Sequence, residues 1–242
     1  MPVSGDKECL FCSGQLPPGA GSRPWCRHLA EAVQNKTGIP CRLIQAQQEL
    51  TLELLESLSP RYIFFPHWSW IIPETIWKRF ECVIFHMTDL PYGRGGSPLQ
   101  NLIIRGYQET KISAFRCSEG IDTGPIYLKR PLSLLGTAEE IYIRANAIIQ
   151  EMIIEILNTY PASTPQYGEV TIFKRRKPEE SNLDGVQTLE ELFDKIRMLD
   201  ADGYPPAFWD VGKFRLHLTR ASRKTDKLLA DVCITLRDER NV

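Results

Sequence analysis

Four short apolar runs recur in the first part of the chain, at Cys9–Cys12, Cys41–Gln45, Tyr62–Phe65 and Cys82–Phe85, and helical segments separate them. Runs of this kind indicate parallel strands buried on both faces, and their alternation with helices makes a doubly wound, Rossmann-like α/β sheet that is mostly parallel. Trp25–Gln34 reads as a helix, Leu52–Leu58 as a second with Thr51 as its N-cap, and Pro73 opens a third that reaches about Phe80. Residues Ser13 to Arg23 form a Gly/Pro loop. In such sheets ligands bind outside the carboxyl ends of the strands. His86, which directly follows Phe85, is placed there by position alone.

Further along, Thr110–Cys117 and Ile126–Leu132 read as strands joined by the turn Gly120–Gly124. Thr137-x-x-Glu140 is a capping box opening a long helix, in which Ile141, Ala145, Ile148, Ile149, Met152 and Ile156 fall at core-packing spacing. Residues Pro161 to Pro165 read as a linker. Beyond it come a strand (Gly168–Phe173), the basic run Lys174–Lys177, a capped helix from Thr188-x-x-Glu191, the turn-rich Tyr204–Trp209, and two strands, Lys213–Leu218 and Leu229–Leu236. The expected organisation is a catalytic core over 1–160 and a small α+β C-terminal appendage over 161–242.

A net charge of −1 over 242 residues argues against a nucleic-acid partner, since such binders carry a basic excess or stripe. No apolar run reaches the roughly 18 residues of a membrane span. The N-terminus, Met-Pro-Val-Ser-Gly-Asp-Lys-Glu, lacks the shape of a signal peptide, so the expectation is a cytoplasmic protein without a membrane partner. The seven cysteines are scattered. Cys9-x-x-Cys12 has no second pair at zinc spacing, so no metal is expected and the thiols read as small buried hydrophobes in a reducing compartment.

The chemistry concentrates in two stretches: His86-Met-Thr-Asp-Leu-Pro-Tyr-Gly-Arg-Gly-Gly-Ser-Pro-Leu99, and Gly120-Ile-Asp-Thr-Gly-Pro-Ile126. A strand-end histidine with the carboxylate of Asp122 returning between two glycines suits a base and the group that orients it. The bland alternative is a histidine satisfied by a backbone carbonyl. Together the stretches resemble the folate-dependent formyltransferases, whose pattern runs Asn-x-His-x-Ser-x-Leu-Pro-x-x-Arg-Gly-x-x-Pro and later Asp-x-Gly-x-Ile. The chain supplies His86, Leu90-Pro91, Arg94-Gly95, Pro98, Asp122, Gly124 and Ile126 in register. The resemblance runs from about residue 40 to beyond 200. It departs at position 84, where the family asparagine is Ile84.

The resemblance implies formyl transfer from 10-formyltetrahydrofolate to an amine, with His86 as base or proton shuttle and Asp122 holding the imidazole. The family asparagine donates to the formyl oxygen, and losing one such donor commonly costs about 10²–10³ in rate. Either a protonated His86, a backbone N–H or Thr88 replaces it, or this branch works without it, or the enzyme is weak. Trp68, Trp70 and Ile71 are candidates for the folate slot, with packing between sheet and helix as the alternative. Gly120 and Ile121 are a second part of that pocket. Arg94, Gly95 and Gly96 are substrate-binding candidates because glycine lets a ligand approach the backbone closely. Lys174–Lys177 reads as a diphosphate clamp or as solvated surface.

Methionyl-tRNA formyltransferases add a basic C-terminal β-barrel, and glycinamide ribonucleotide transformylases are shorter. The layout looks closest to sugar N-formyltransferases acting on nucleotide-linked 4-amino-4,6-dideoxy sugars. Their small C-terminal appendage often serves dimerisation, so a homodimer is expected, with Ile196–Pro205 as part of that appendage. The alternatives are a 10-formyltetrahydrofolate hydrolase and a folate- or sugar-nucleotide-binding protein without turnover.

Overall fold

The computed structural model of the chain describes residues 8–12 and 24–237, so the Ser13–Arg23 loop lies outside the described residues. The central sheet contains β1 (Cys9–Cys12), β2 (Cys41–Ile44), β3 (Ile63–Phe65), β4 (Cys82–His86), β6 (Glu109–Arg116) and β7 (Ile126–Ser133), in the order β2-β1-β3-β4-β6-β7. Pairings from β2 to β4 are parallel, and those of β4 with β6 and β6 with β7 are antiparallel. The fold is therefore the mostly parallel, Rossmann-like sheet expected.

Its doubly wound character follows from the strand sequences. Successive side chains point to opposite faces. In β1, Cys9 and Phe11 enter the cluster built with α1 (Pro24–Thr37) and α5 (Ala138–Thr159), while Leu10 and Cys12 enter the one built with α2 (Leu52–Leu58) and α3 (Glu74–Trp77). A run apolar at every position is what such a strand needs. Thr51 caps α2 by accepting from the Leu54 N–H. Thr137 and Glu140 close the capping box of α5 in both directions, a device worth about 1 kcal/mol at a helix N-terminus.

Four local readings differ. Helix α3 covers only Glu74–Trp77, with Pro73 at the cap rather than in the first turn. A helix, α4 (Pro98–Ile104), begins inside the Gly/Pro-rich motif, with Pro98 in its first turn. The strand read over Gly168–Phe173 shortens to β8 (Ile172–Phe173), which pairs in parallel with β5 (Arg94–Gly95). The Tyr204–Trp209 segment already enters β9 (Ala207–Val211), because Phe208 and Trp209 pair with His217 and Leu216 of β10 (Phe214–Arg223).

Strands β9, β10 and β11 (Leu228–Leu236) form an antiparallel sheet, and α6 (Leu189–Arg197) packs on β10. This C-terminal unit is not separately cored. Phe173, Leu183, Ile196, Met198, Leu199, Ala207 and Leu218 belong to the same buried cluster as Phe64, Val83 and Phe85. Ile196, Arg197, Met198 and Leu199, in the stretch read as part of the appendage, are buried within the chain itself, and Arg197 donates to the carbonyls of Leu134 and Gly136 at 2.6 and 2.9 Å. The exposed apolar side chains of this unit are Leu189, Val211, Phe214, Leu229, Val232, Ile234 and Leu236.

Burial pushes the thiols of Cys9 and Cys117 up to about 11 and that of Cys41 up to about 12; Cys12 and Cys82 are raised further by the same cause. These are inert, protonated side chains near neutral pH. Among the described residues no group of three His, Cys, Asp or Glu side chains could hold a metal ion, and no helix is long and apolar enough to cross a membrane.

Candidate active site

Strand β4 ends at His86, opposite Ser113 of β6. The Ser113 hydroxyl donates to the Thr88 carbonyl at 2.7 Å and accepts from the Leu90 N–H at 3.2 Å, so one side chain fixes the exit from the strand. The chain then turns through Gly93, whose carbonyl accepts a hydrogen bond from His86 Nε2 at 2.8 Å. A carbonyl can only accept, so Nε2 carries a hydrogen in this contact. Gly93 has φ +73°, and a Cβ there would lie 2.6 Å from the Phe173 ring. Only glycine fits.

The second stretch reaches His86 from below. Its turn leaves the sheet beside Cys82, whose carbonyl accepts from the Cys117 N–H at 2.8 Å. The turn then folds back. A Cβ on Gly124 would lie 1.7 Å from the Arg116 carbonyl oxygen, so this position too is restricted to glycine. Asp122 stands at φ +54°, a left-handed conformation that Asp tolerates better than most residues. Its Oδ2 accepts from the Gly95 N–H at 2.8 Å and lies 3.6 Å from His86 Nδ1. That separation is an ion-pair contact rather than a hydrogen bond. The two side chains are only 9 % and 13 % exposed. Both readings of His86 are therefore present at once, one on each ring nitrogen: a backbone carbonyl and a carboxylate.

Around this corner the outcome is mixed. Ile84, two residues before His86 and on the same strand face, packs with Leu90, Phe115 and Ile126. Thr88 is fully buried and directs its hydroxyl to the Gly93 carbonyl at 3.4 Å, the oxygen His86 also uses. It is not turned toward an incoming group. Gly95 and Gly96 do permit close approach, but what approaches is the chain itself: a Cβ on Gly95 would meet the Phe173 carbonyl oxygen at 2.4 Å, and one on Gly96 the Arg175 Cβ at 2.5 Å. Arg94 donates to Gln166 Oε1 from Nε and Nη2 at 3.1 and 2.7 Å.

The proposed ring-binding residues form a separate group after β3. Trp68 packs edge-on against Phe65 and Trp70, with centroids 5.5 and 4.8 Å apart, and its buried indole N–H has no acceptor among the described residues. Ile71 is 85 % exposed and Ile121 68 % exposed, with Gly120 beside the latter also open to solvent. None of these is held by the His86–Asp122 hydrogen bonds.

Two residues of the site carry no sequence signal. Ser113 lies in a strand that also carries Glu109, Thr110, Lys111 and Arg116, so one more polar residue there does not stand out. Gln166 follows a proline-bounded segment and belongs to no motif. Its Nε2 donates to the carbonyls of Asp122 and Gly124, both at 2.8 Å.

The family description "Formyl transferase" matches residues 30–157, and "Methionyl-tRNA formyltransferase, C-terminal domain" matches residues 178–235. A curated relative, the methionyl-tRNA formyltransferase of Thermodesulfovibrio yellowstonii, is 26 % identical over 174 residues, covering 68 % of this chain and 56 % of the relative. The chain thus spans little more than half of that relative's length. A solved structure described as methionyl-tRNA formyltransferase from Clostridium thermocellum is 47 % identical, with a TM-score of 0.89 over 95 % of this chain and 99 % of that one. The fold is shared more distantly with a likely sugar N-formyltransferase from Mycobacterium tuberculosis, 17 % identical with a TM-score of 0.67 over 96 % of this chain and 99 % of that one.

Proposed function

The chain belongs to the formyl transferase family, and from that premise we propose that it moves a formyl group from 10-formyltetrahydrofolate to the amine of a nucleotide-linked amino sugar. The observation that carries the reading is the His86–Asp122 corner, with Nδ1 of the ring 3.6 Å from the carboxylate and Nε2 tied to Gly93.

The folate donor supplies the formyl group and leaves as an amine that must take up a proton. The residues present suit it: a flat, partly polar ring system wants apolar walls and a few polar groups, and Trp68 offers a buried N–H unpaired among the described residues, close in sequence to the exposed Ile71. His86 is the group for the attacking amine's proton. Nδ1 is the receiving atom, since Nε2 already carries the hydrogen donated to Gly93. Asp122 faces the charge that then develops on the ring, in surroundings where water screens it little. The same proton is available to the departing folate amine. Because Ile84 donates nothing and Thr88 is engaged elsewhere, the protonated ring or a backbone N–H is left to stabilise the formyl oxygen.

For the acceptor, residues 178–235 carry eleven acidic and eight basic side chains, an acidic excess that does not favour a polyanion such as tRNA. The β5–β8 pairing sets the exposed Lys174 and Arg175 beside Gly95 and Gly96, where two cations suit a diphosphate. A second reading, methionyl-tRNA as acceptor, is favoured by the 47 % identity to a chain of that description. A homodimer is part of the same proposal, and the exposed Phe214, Val232, Ile234 and Leu236 mark where it would form.

A mass-spectrometric formylation assay separates these readings. Purified protein and 10-formyltetrahydrofolate are offered amino-sugar nucleotides, glycinamide ribonucleotide and methionyl-tRNA. A formyl mass gain on an amino-sugar nucleotide is expected; a gain on methionyl-tRNA alone establishes the second reading. Loss of donor without a formylated acceptor makes the protein a hydrolase, and bound folate without turnover makes it a binding protein.

A further inference from the structure

We propose that Gln166 is a positioning residue of this site: its carboxamide locks the Asp122 turn to Arg94 and so keeps the carboxylate facing His86. The inference rests on the formyl-transfer reading for its kinetic consequence, but its structural content stands apart from it.

The carboxamide is saturated. Its two N–H groups are spent on the carbonyls of Asp122 and Gly124, and its oxygen takes two hydrogens from the Arg94 guanidinium. An amide offers two donors and one carbonyl with two lone pairs, so nothing is left over. The orientation is also determined by chemistry. A flipped amide would set NH₂ against a guanidinium and oxygen against two carbonyls.

What this holds is a conformation that does not hold itself. Asp122 stands at φ +54°, and such residues persist only where the surroundings over-determine them. Residues 94 and 95 grip Asp122 at both ends: the Gly95 N–H holds its carboxylate directly, and Arg94 holds its carbonyl through Gln166. Gln166 itself is delivered by a segment tied down on either side. Thr164 and Ile126 exchange backbone hydrogen bonds of 2.7 and 2.8 Å just before it, and β8 pairs with β5 just after. The stretch expected to be a linker is a strap across the site. If the turn relaxed, Oδ2 would leave both Gly95 and the 3.6 Å contact with Nδ1.

Two near-isosteric variants test this. Gln166→Met removes every hydrogen bond and keeps the bulk. Gln166→Glu keeps an acceptor for Arg94 but confronts two carbonyl oxygens with a carboxylate. Both are assayed for formyl transfer, for thermal unfolding, and for the imidazole nitrogen resonances of His86, assigned by their loss in His86→Asn. The expected result is a fall in kcat of about ten- to a hundredfold in both variants. The acceptor KM should stay within about threefold, unfolding should be little changed, and the Nδ1 resonance of His86 should move. Wild-type kcat in Gln166→Glu would mean that the bonds to Asp122 and Gly124 do not matter, and would overturn the proposal. So would unchanged His86 resonances in both variants. If the wild-type protein formylates no acceptor, the formyl-transfer reading fails separately, and the resonances alone then decide whether Gln166 positions Asp122.

Discussion

The corner proposed to handle protons and the segment proposed to hold the donor ring are built in opposite ways. Around His86 and Asp122 every distance is set by the chain's own hydrogen bonds: Nε2 on Gly93, Oδ2 on Gly95, Ser113 on Thr88, and Gln166 on the turn. After β3 the same cannot be said. Trp68 buries an indole N–H with no acceptor among the described residues, and Ile71 stands 85 % exposed. A buried donor without a partner commonly costs about 1–3 kcal/mol. The proposed catalytic corner is thus internally hydrogen-bonded, whereas the proposed binding wall carries a buried donor that pairs with nothing among the described residues. Preorganised groups are spent where charge develops, and incomplete ones where a ligand must be paid for by its own contacts.

The harshest way to break this contrast is to remove the ring. His86→Ala should lower formyl transfer by about 10²–10⁴-fold, the usual range for a positioned acid–base group, while the dissociation constant for folate stays close to wild type. If turnover survives, the corner is not where the proton goes. Asp122→Asn comes next. It preserves size, and its side-chain oxygen can still accept from Gly95, but the ring loses its anionic partner. A fall in kcat of more than about tenfold, with KM for the acceptor little altered, is the expected outcome, and a smaller loss would reduce Asp122 to a residue that shapes the turn.

A gentler substitution probes the other side of the comparison. Trp68→Phe keeps a ring against Phe65 and Trp70 and deletes only the N–H. If that group waits for the donor, the donor's KM should rise about three- to tenfold, as expected for one neutral hydrogen bond, with kcat unchanged and no loss of stability in the free protein. A free protein destabilised by the change, with KM unmoved, would show that Trp68 is packing between sheet and helix and nothing more.

The same division governs what could be read in the sequence. The strands of the first half were legible because continuous apolar runs have one good explanation, and the caps at Thr51 and Thr137 because their geometry is local. His86 and Asp122 were legible through motif text, and the structure brings them to 3.6 Å. What escaped is non-local. Helix α4 is hidden because Pro98 follows two glycines and a serine, which read as loop. Strand β9 is hidden behind Pro205-Pro206, although Ala207 to Val211 pair fully with β10. Gly95 and Gly96 were read as room for a ligand, but residues 173–175 lie against them, a contact made across some eighty positions that no window on the sequence contains. Gln166 is the extreme case. Its role depends on four hydrogen bonds to three residues, Arg94, Asp122 and Gly124, from two distant loops, and a lone glutamine after a proline announces none of them.

Ile84→Asn gives the smallest expected change and bears on the question the corner leaves open. It restores the residue that the family pattern carries two positions before the histidine. In this chain that side chain packs against two apolar clusters, one of Leu90, Phe115 and Ile126 and one that includes Leu10, Ile63 and Phe65, and these side chains cannot orient an amide. An amide placed there gains no partner from the chain and loses apolar contact, so a loss of stability of about 1–3 kcal/mol is expected on denaturation. An unoriented donor contributes little to the transition state, because preorganisation is what gives such groups their effect. The rate of formyl transfer should therefore stay within about threefold of wild type. A rise approaching the 10²–10³ that one oxyanion donor commonly supplies would show instead that the amide finds its place without protein partners. The corner would then be complete for protons but not for the formyl oxygen, and the line between its finished and unfinished parts would run between His86 and Ile84.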